Sequence, residues 1–126
     1  HVRSRRQRQM CKETASDILD NLADKFEGQP YQFVAGFTAN DNFEASGIAF
    51  QYPVKPDGPA FSVTFDLGTE NTAKAQRHEF SHNFGVEHDP QGSGIRCIMN
   101  YDYAYTVDVW DAEHNSLIEK NKVWYQ

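Results

Sequence analysis

Residues 78–89 read His78-Glu79-Phe80-Ser81-His82-Asn83-Phe84-Gly85-Val86-Glu87-His88-Asp89, the most informative segment of the chain. On a helix, residues four apart lie one turn apart on the same face, so His78 and His82 present two imidazoles toward one point. That geometry suits Zn2+. Glu79, next to the first histidine, puts a carboxylate beside the ion's open position without being a ligand. Gly85 allows a turn that a residue with a β-carbon resists, which brings His88 back as a third ligand. Three protein ligands leave a fourth position for water, the mark of a catalytic and not a structural zinc. A bare His-Glu-x-x-His arises by chance, and two histidines on a helix face are often plain surface residues. The extended form fixes two further positions, and three of the chain's five histidines fall inside it.

Working outward, the helix that carries this stretch is predicted over about Thr72–Phe84. Upstream, Ala15, Ile18, Leu19, Leu22, Ala23 and Phe26 recur with the spacing of one helical face, which predicts a helix over 12–27 closed by Gly28 and Pro30. Tyr31–Thr38 and Ser46–Tyr52 are rich in aromatic and β-branched residues and read as strands. Phe61-Ser62-Val63-Thr64-Phe65 alternates apolar and polar, which predicts a half-buried strand with Phe61, Val63 and Phe65 inward. A glycine-bearing loop (89–94), an irregular tyrosine-rich stretch (101–105) and a last helix over about Asp111–Lys122 complete the chain. His114, on that helix and outside any motif, reads as a solvated or capping histidine.

A chain of 126 residues with 39% apolar and 24% charged residues is expected to form one packed domain. No apolar run approaches the roughly 20 residues of a membrane-spanning helix. Residues 1–12 carry five basic residues and no acid, leaving 7 bases against 18 acids in residues 13–126, a net of −11. The division is therefore a basic tail (1–12) and a single acidic domain (13–126), and an acidic body disfavours nucleic acid as a partner. The tail is open to three readings: a solvated segment, a phosphate-binding arm, or a processing remnant, since Arg3-Ser4-Arg5-Arg6 resembles the site cut by secretory proprotein convertases. Cys11 and Cys97 lack the Cys-x-x-Cys spacing of a cysteine-built zinc site. They are either one long-range disulfide, which would stabilise the fold by about 4–5 kcal/mol, or two separate thiols.

Two independent motifs carry a family resemblance. His78-Glu79-x-x-His82-x-x-Gly85-x-x-His88 resembles the signature of the metzincin zinc endopeptidases, and Cys97-Ile98-Met99-Asn100-Tyr101 looks like their Met-turn. Asp89 directly after the third histidine, and Cys97-Ile98-Met99 as the turn, are similar to the adamalysin (reprolysin, ADAM-like) branch. Gly47-Ile48-Ala49-Phe50 is similar to that branch's edge strand. The resemblance covers residues 13–126 and implies an α+β, zincin-like catalytic domain, in which a small twisted mixed sheet packs with the active-site helix and a C-terminal helix. It begins at the family's second helix, which implies a smaller sheet than usual.

The resemblance further implies a Zn2+-dependent endopeptidase with His78, His82 and His88 as ligands and Glu79 as general base. Met99 would form an apolar floor under the imidazoles. Substrate protein would lie extended along Gly47, Ile48, Ala49 and Phe50. Tyr101 matches a position that in astacin-like and serralysin-like members binds zinc and swings away; the alternative is a phenol hydrogen-bonded in the pocket wall. Asp89 would accept backbone hydrogen bonds. Family members pair a Cys97-type cysteine with one nearby, which leaves Cys11 as partner here, although Gln9-Met10-Cys11-Lys12 also faintly resembles the family's latency switch. A secreted monomer is expected. The rival is a zinc-loaded, non-proteolytic peptide-binding module of the same fold.

Overall fold

The computed structural model describes residues 15–39 and 47–126. The basic tail and Cys11 lie outside the described residues. In chain order the elements are α1 (Ala15–Phe26), β1 (Phe33–Thr38), β2 (Gly47–Ala49), β3 (Ala60–Phe65), α2 (Thr69–Asn83), α3 (Ala112–Asn121) and a 3-10 turn (Lys122–Tyr125). The sheet is mixed, in the order β1-β3-β2. β1 runs parallel to β3, with Phe33 opposite Ala60, and β2 runs antiparallel to β3, with Gly47 opposite Thr64.

β3 corrects one expectation. All six of its residues are buried, including Ser62 and Thr64, both fully. The alternation is real, but each face meets a helix. Phe61, Val63 and Phe65 pack with Leu19, Ile18, Leu22 and Phe26 of α1, as the helix periodicity anticipated. On the other face Thr64 Oγ1 donates to Gln76 Oε1 of α2 at 2.9 Å. Small hydroxyl residues let α2 approach closely, so a polar face is buried where water was expected.

A second core lies on the far side of α2. Val86, Cys97, Ile98, Met99 and Val107 are buried together, with Tyr103, Trp110, Leu117 and Ile118 packed against them. α2 therefore runs between two apolar clusters, yet Ala75 is its one buried apolar residue against buried Lys74, His78, Glu79, Ser81, His82 and Asn83. Hydrogen bonds anchor it. Asn83 Nδ2 donates to the carbonyls of Phe50 (2.9 Å) and Phe61 (3.2 Å), and Tyr125 Oη donates to the carbonyl of Asn83. Asn121 Nδ2 donates to Phe84 O at 2.8 Å. Trp110 Nε1 donates to Ser81 Oγ at 2.8 Å, and Lys74 and Arg77 both reach Asp108 Oδ1, at 2.8 and 2.7 Å. A central helix buried by polar side chains is an inconsistency with simple core building, and such inconsistencies concentrate at functional sites. No helix among the described residues is long and apolar enough to cross a membrane.

Candidate metal centre

α2 ends as the sequence required. Gly85 N donates to His82 O (2.9 Å) and Val86 N to Ser81 O (3.3 Å), the paired bonds of a Schellman cap, with Gly85 at φ +87°. A β-carbon on Gly85 would also meet Tyr52 O at 2.9 Å. The cap reverses the chain so that Val86 O accepts from His82 Nδ1 at 2.8 Å, and His88 returns over the helix.

His78 and His82 stand one turn apart, and His88 Nε2 lies 3.0 Å from His78 Nε2 and 3.1 Å from His82 Nε2. The outer nitrogens of the two helical rings are held elsewhere: His78 Nδ1 donates to Ile98 O at 2.9 Å and His82 Nδ1 to Val86 O at 2.8 Å. Those bonds place the proton on Nδ1 and leave each Nε2 with a lone pair aimed at a common point. His88 Nε2 faces both of these acceptors, and a single ring proton on it can serve only one of them, so a cation is the species that satisfies all three nitrogens. At zinc–nitrogen distances of about 2.0–2.1 Å, tetrahedral ligands stand about 3.3 Å apart, close to the spacing found. Burial lowers all three imidazole pKa values, with His82 brought down to about 4; at neutral pH each ring is uncharged and able to ligate.

The sequence profile described as Metallo-peptidase family M12 matches residues 3–111. The chain belongs to this metallopeptidase family. Among solved structures, archaemetzincin from Methanopyrus kandleri has a similar fold, with a TM-score of 0.62 at 20% identity over 87% of this chain and 66% of that one. The chain thus spans slightly less than two thirds of that structure's length. No curated protein matches the sequence. The fold of the M12 metallopeptidase is similar to that of this archaemetzincin, and His78, His82 and His88 form a group able to hold a metal ion, Zn2+ in keeping with a metallopeptidase.

Around that group the M12 chain builds a cleft of about 260 Å3, lined by Gly47, Ile48, Ala49, Gln51, Glu79, His82, His88 and Tyr101. Glu79 is 5% exposed, and burial pushes its carboxyl up to about 8. A larger cavity of about 990 Å3 lies elsewhere, between α1 and residues 50–61; it contributes none of the metal-binding groups found among the described residues. Tyr101 is half exposed, its ring stacked on His78 at 5.4 Å and 4.6 Å from His88.

Met99 is fully buried in the second core, and its carbonyl accepts from Asp89 N at 3.0 Å, directly after His88. Gly47, Ile48 and Ala49 form the outer strand of the sheet beside the cleft, whereas Phe50 lies beyond the strand. Its side chain joins the α1 core, and Gln51 lines the cleft instead. The reason is the short ladder: β2 pairs with β3 only as far as Ala49.

Three residues are placed differently from expectation. Cys97 is a free, fully buried thiol, its Sγ 3.6 Å from His114 Nδ1, while its expected partner Cys11 lies outside the described residues. His114 is buried, not solvated. Asp89 Oδ2 accepts no hydrogen bond and sits 3.3 Å from His114 Nδ1. The orienting carbonyls of Ile98 and Val86 were not anticipated, because a backbone acceptor leaves no trace in residue identity.

Proposed function

We propose that this M12 metallopeptidase is an endopeptidase of adamalysin-like type, cleaving extended protein segments internally. The observation that carries it is the convergence of the His78 and His82 Nε2 atoms, each within 3.1 Å of His88 Nε2, on a cleft that also holds a buried carboxylate. Bound by His78, His82 and His88, Zn2+ supplies Lewis-acid activation of water and of the scissile carbonyl. Glu79 takes the proton of the attacking water and delivers it to the departing amine. Ile98 and Val86 hold the rings of His78 and His82 in register through their carbonyls. Substrate backbone pairs in β-augmentation with the edge of β2 that faces away from β3 and is unpaired among the described residues, with side-chain pockets supplying selectivity. Tyr101, beside His78 and His88, donates its phenol to the developing oxyanion, and residues 101–105 line the leaving-group side. The expected setting is extracellular and the expected state monomeric; the convertase-like Arg3-Ser4-Arg5-Arg6 supports the first.

The test is Glu79→Gln with casein or gelatin as substrate. Loss of internal cleavage by at least about 100-fold, with zinc content unchanged, is the expected result. Wild-type chain that holds zinc yet turns over no peptide in a library would establish the peptide-binding alternative. Tyr101→Phe is expected to lower kcat and leave KM and zinc content near wild type.

A further inference from the structure

We propose that Asp89, Cys97, Asp111 and His114 form a second, structural site for a divalent cation of the zinc class. Their ligand atoms all lie within 4.8 Å of one another. His114 Nδ1 is 2.9 Å from Asp111 Oδ2, 3.3 Å from Asp89 Oδ2 and 3.6 Å from Cys97 Sγ. Tetrahedral edges around zinc are about 3.3 Å between nitrogen and oxygen ligands and about 3.6 Å between nitrogen and sulfur; the Asp89 and Cys97 separations match these, and the Asp111 separation is shorter by about 0.4 Å.

Two carboxylate oxygens in the cluster point to a missing ligand. Asp89 Oδ2 and Asp111 Oδ2 are buried and accept no hydrogen bond, although the imidazole nitrogen is within reach of both. The ring N–H direction serves neither oxygen. The Asp89 side chain is 10% exposed and that of His114 11%. Two carboxylates side by side at such depth repel unless a cation or a proton lies between them. One thiolate, one imidazole and two carboxylates match zinc, cobalt(II) or iron(II), and four protein ligands leave no open position, as in structural sites.

The ligands are also held from behind. Met99 N donates to Cys97 Sγ at 3.4 Å. Asp111 Oδ1 caps α3 by accepting from His114 N at 2.9 Å, leaving Oδ2 for the ion. The consequence is mechanical: one ion would tie the residue after His88, the residue before Ile98 and the start of α3 together. Ile98 O holds His78, so the second site would brace two of the three catalytic-zinc ligands.

The experiment uses the whole chain, stripped of metal and titrated with Co2+. Two equivalents are expected to bind, one of them adding a near-ultraviolet thiolate-to-cobalt charge-transfer band. His82→Ala should lose the other equivalent and keep the band, which separates this site from the catalytic one. Cys11→Ser should keep the band, and Cys97→Ser should abolish it and leave one equivalent. Should Cys97→Ser fail to fold, Asp111→Asn retains the helix cap and is expected to weaken binding at the band-forming site more than about 100-fold, beyond the effect of losing an outer-shell partner. A single equivalent in the wild type, a saturated chain with no thiolate band, or a band that depends on Cys11 and not Cys97 would overturn the proposal.

Discussion

Gly47 on β2 and Glu79 on α2 are in contact so close that a β-carbon on Gly47 would lie 2.8 Å from both Cγ and Oε2 of Glu79, and 2.9 Å from Val63 O. The edge strand thus forms one wall of the carboxylate's position. Gly47→Ala is expected to displace Glu79 while leaving the three histidines in place. A shift of about 1 Å in a catalytic group costs about 100-fold in rate. The expected outcome is a kcat reduced by 10- to 100-fold, with one zinc equivalent still retained by the three histidines.

The metal-free chain should be most stable near pH 6.5. His82 titrates at about 4 in the fold against 6.5 free, and His78 and His88 are lowered as well. Between those values the unfolded chain binds more protons, so stability falls as pH drops, by up to about 3 kcal/mol for His82 alone. Glu79 acts in the opposite sense. Its folded value of about 8 against 4.5 means the native state holds the extra proton. Stability from this group therefore falls as pH rises from 4.5 to 8, by about 2 kcal/mol between pH 6.5 and 8; below 6.5 it offsets the His82 contribution, so that His78 and His88 set the net acid limb. Urea unfolding of the chelator-treated chain at pH 5, 6.5 and 8 checks both limbs. A flat profile would contradict the burial of these groups.

Gly85→Ala strains the cap twice, through φ +87° and through the Tyr52 carbonyl at 2.9 Å. A loss of about 2–4 kcal/mol in unfolding free energy is expected. Because the same cap returns His88 to the helix, zinc affinity should fall in parallel. Competition with a chromophoric chelator measures it.

Asn83→Ala removes both donors to Phe50 O and Phe61 O from a fully buried site. Phe50 O loses this donor and Phe61 O keeps only the long bond from Phe50 N at 3.4 Å, which predicts a loss of about 1–3 kcal/mol. Asn83 faces the sheet and not the cleft, so KM for a peptide substrate should remain within about twofold at temperatures where the variant is folded.

Local signals in the sequence were legible, and long-range ones were not. His78, His82, Gly85 and His88 are related through one helix and its cap, so spacing alone sets their geometry. The α1 face was equally readable, because Leu19 and its neighbours repeat with the helical period. Thr64 looked solvent-facing because nothing near it in sequence reveals that α2 covers that side of β3. The start of α2 at Thr69 rather than Thr72 follows from the turn at Asp66–Gly68, where Gly68 N donates to Asp66 Oδ1 at 3.0 Å. His114 appeared isolated for the same reason as Thr64. Its neighbours Asp89 and Cys97 stand 25 and 17 positions away, and only the folding of the second core brings them together.

The two apolar clusters share little besides the polar helix between them, and the cleft opens along their junction: its β2 wall belongs to one half, its His88 and Tyr101 wall to the other. A peptide lying in that seam would act as a splint across both halves. Occupancy should then slow amide hydrogen exchange far from the bound residues, in α1 as well as in α3, and the protein would stiffen as a whole each time it takes hold of a chain.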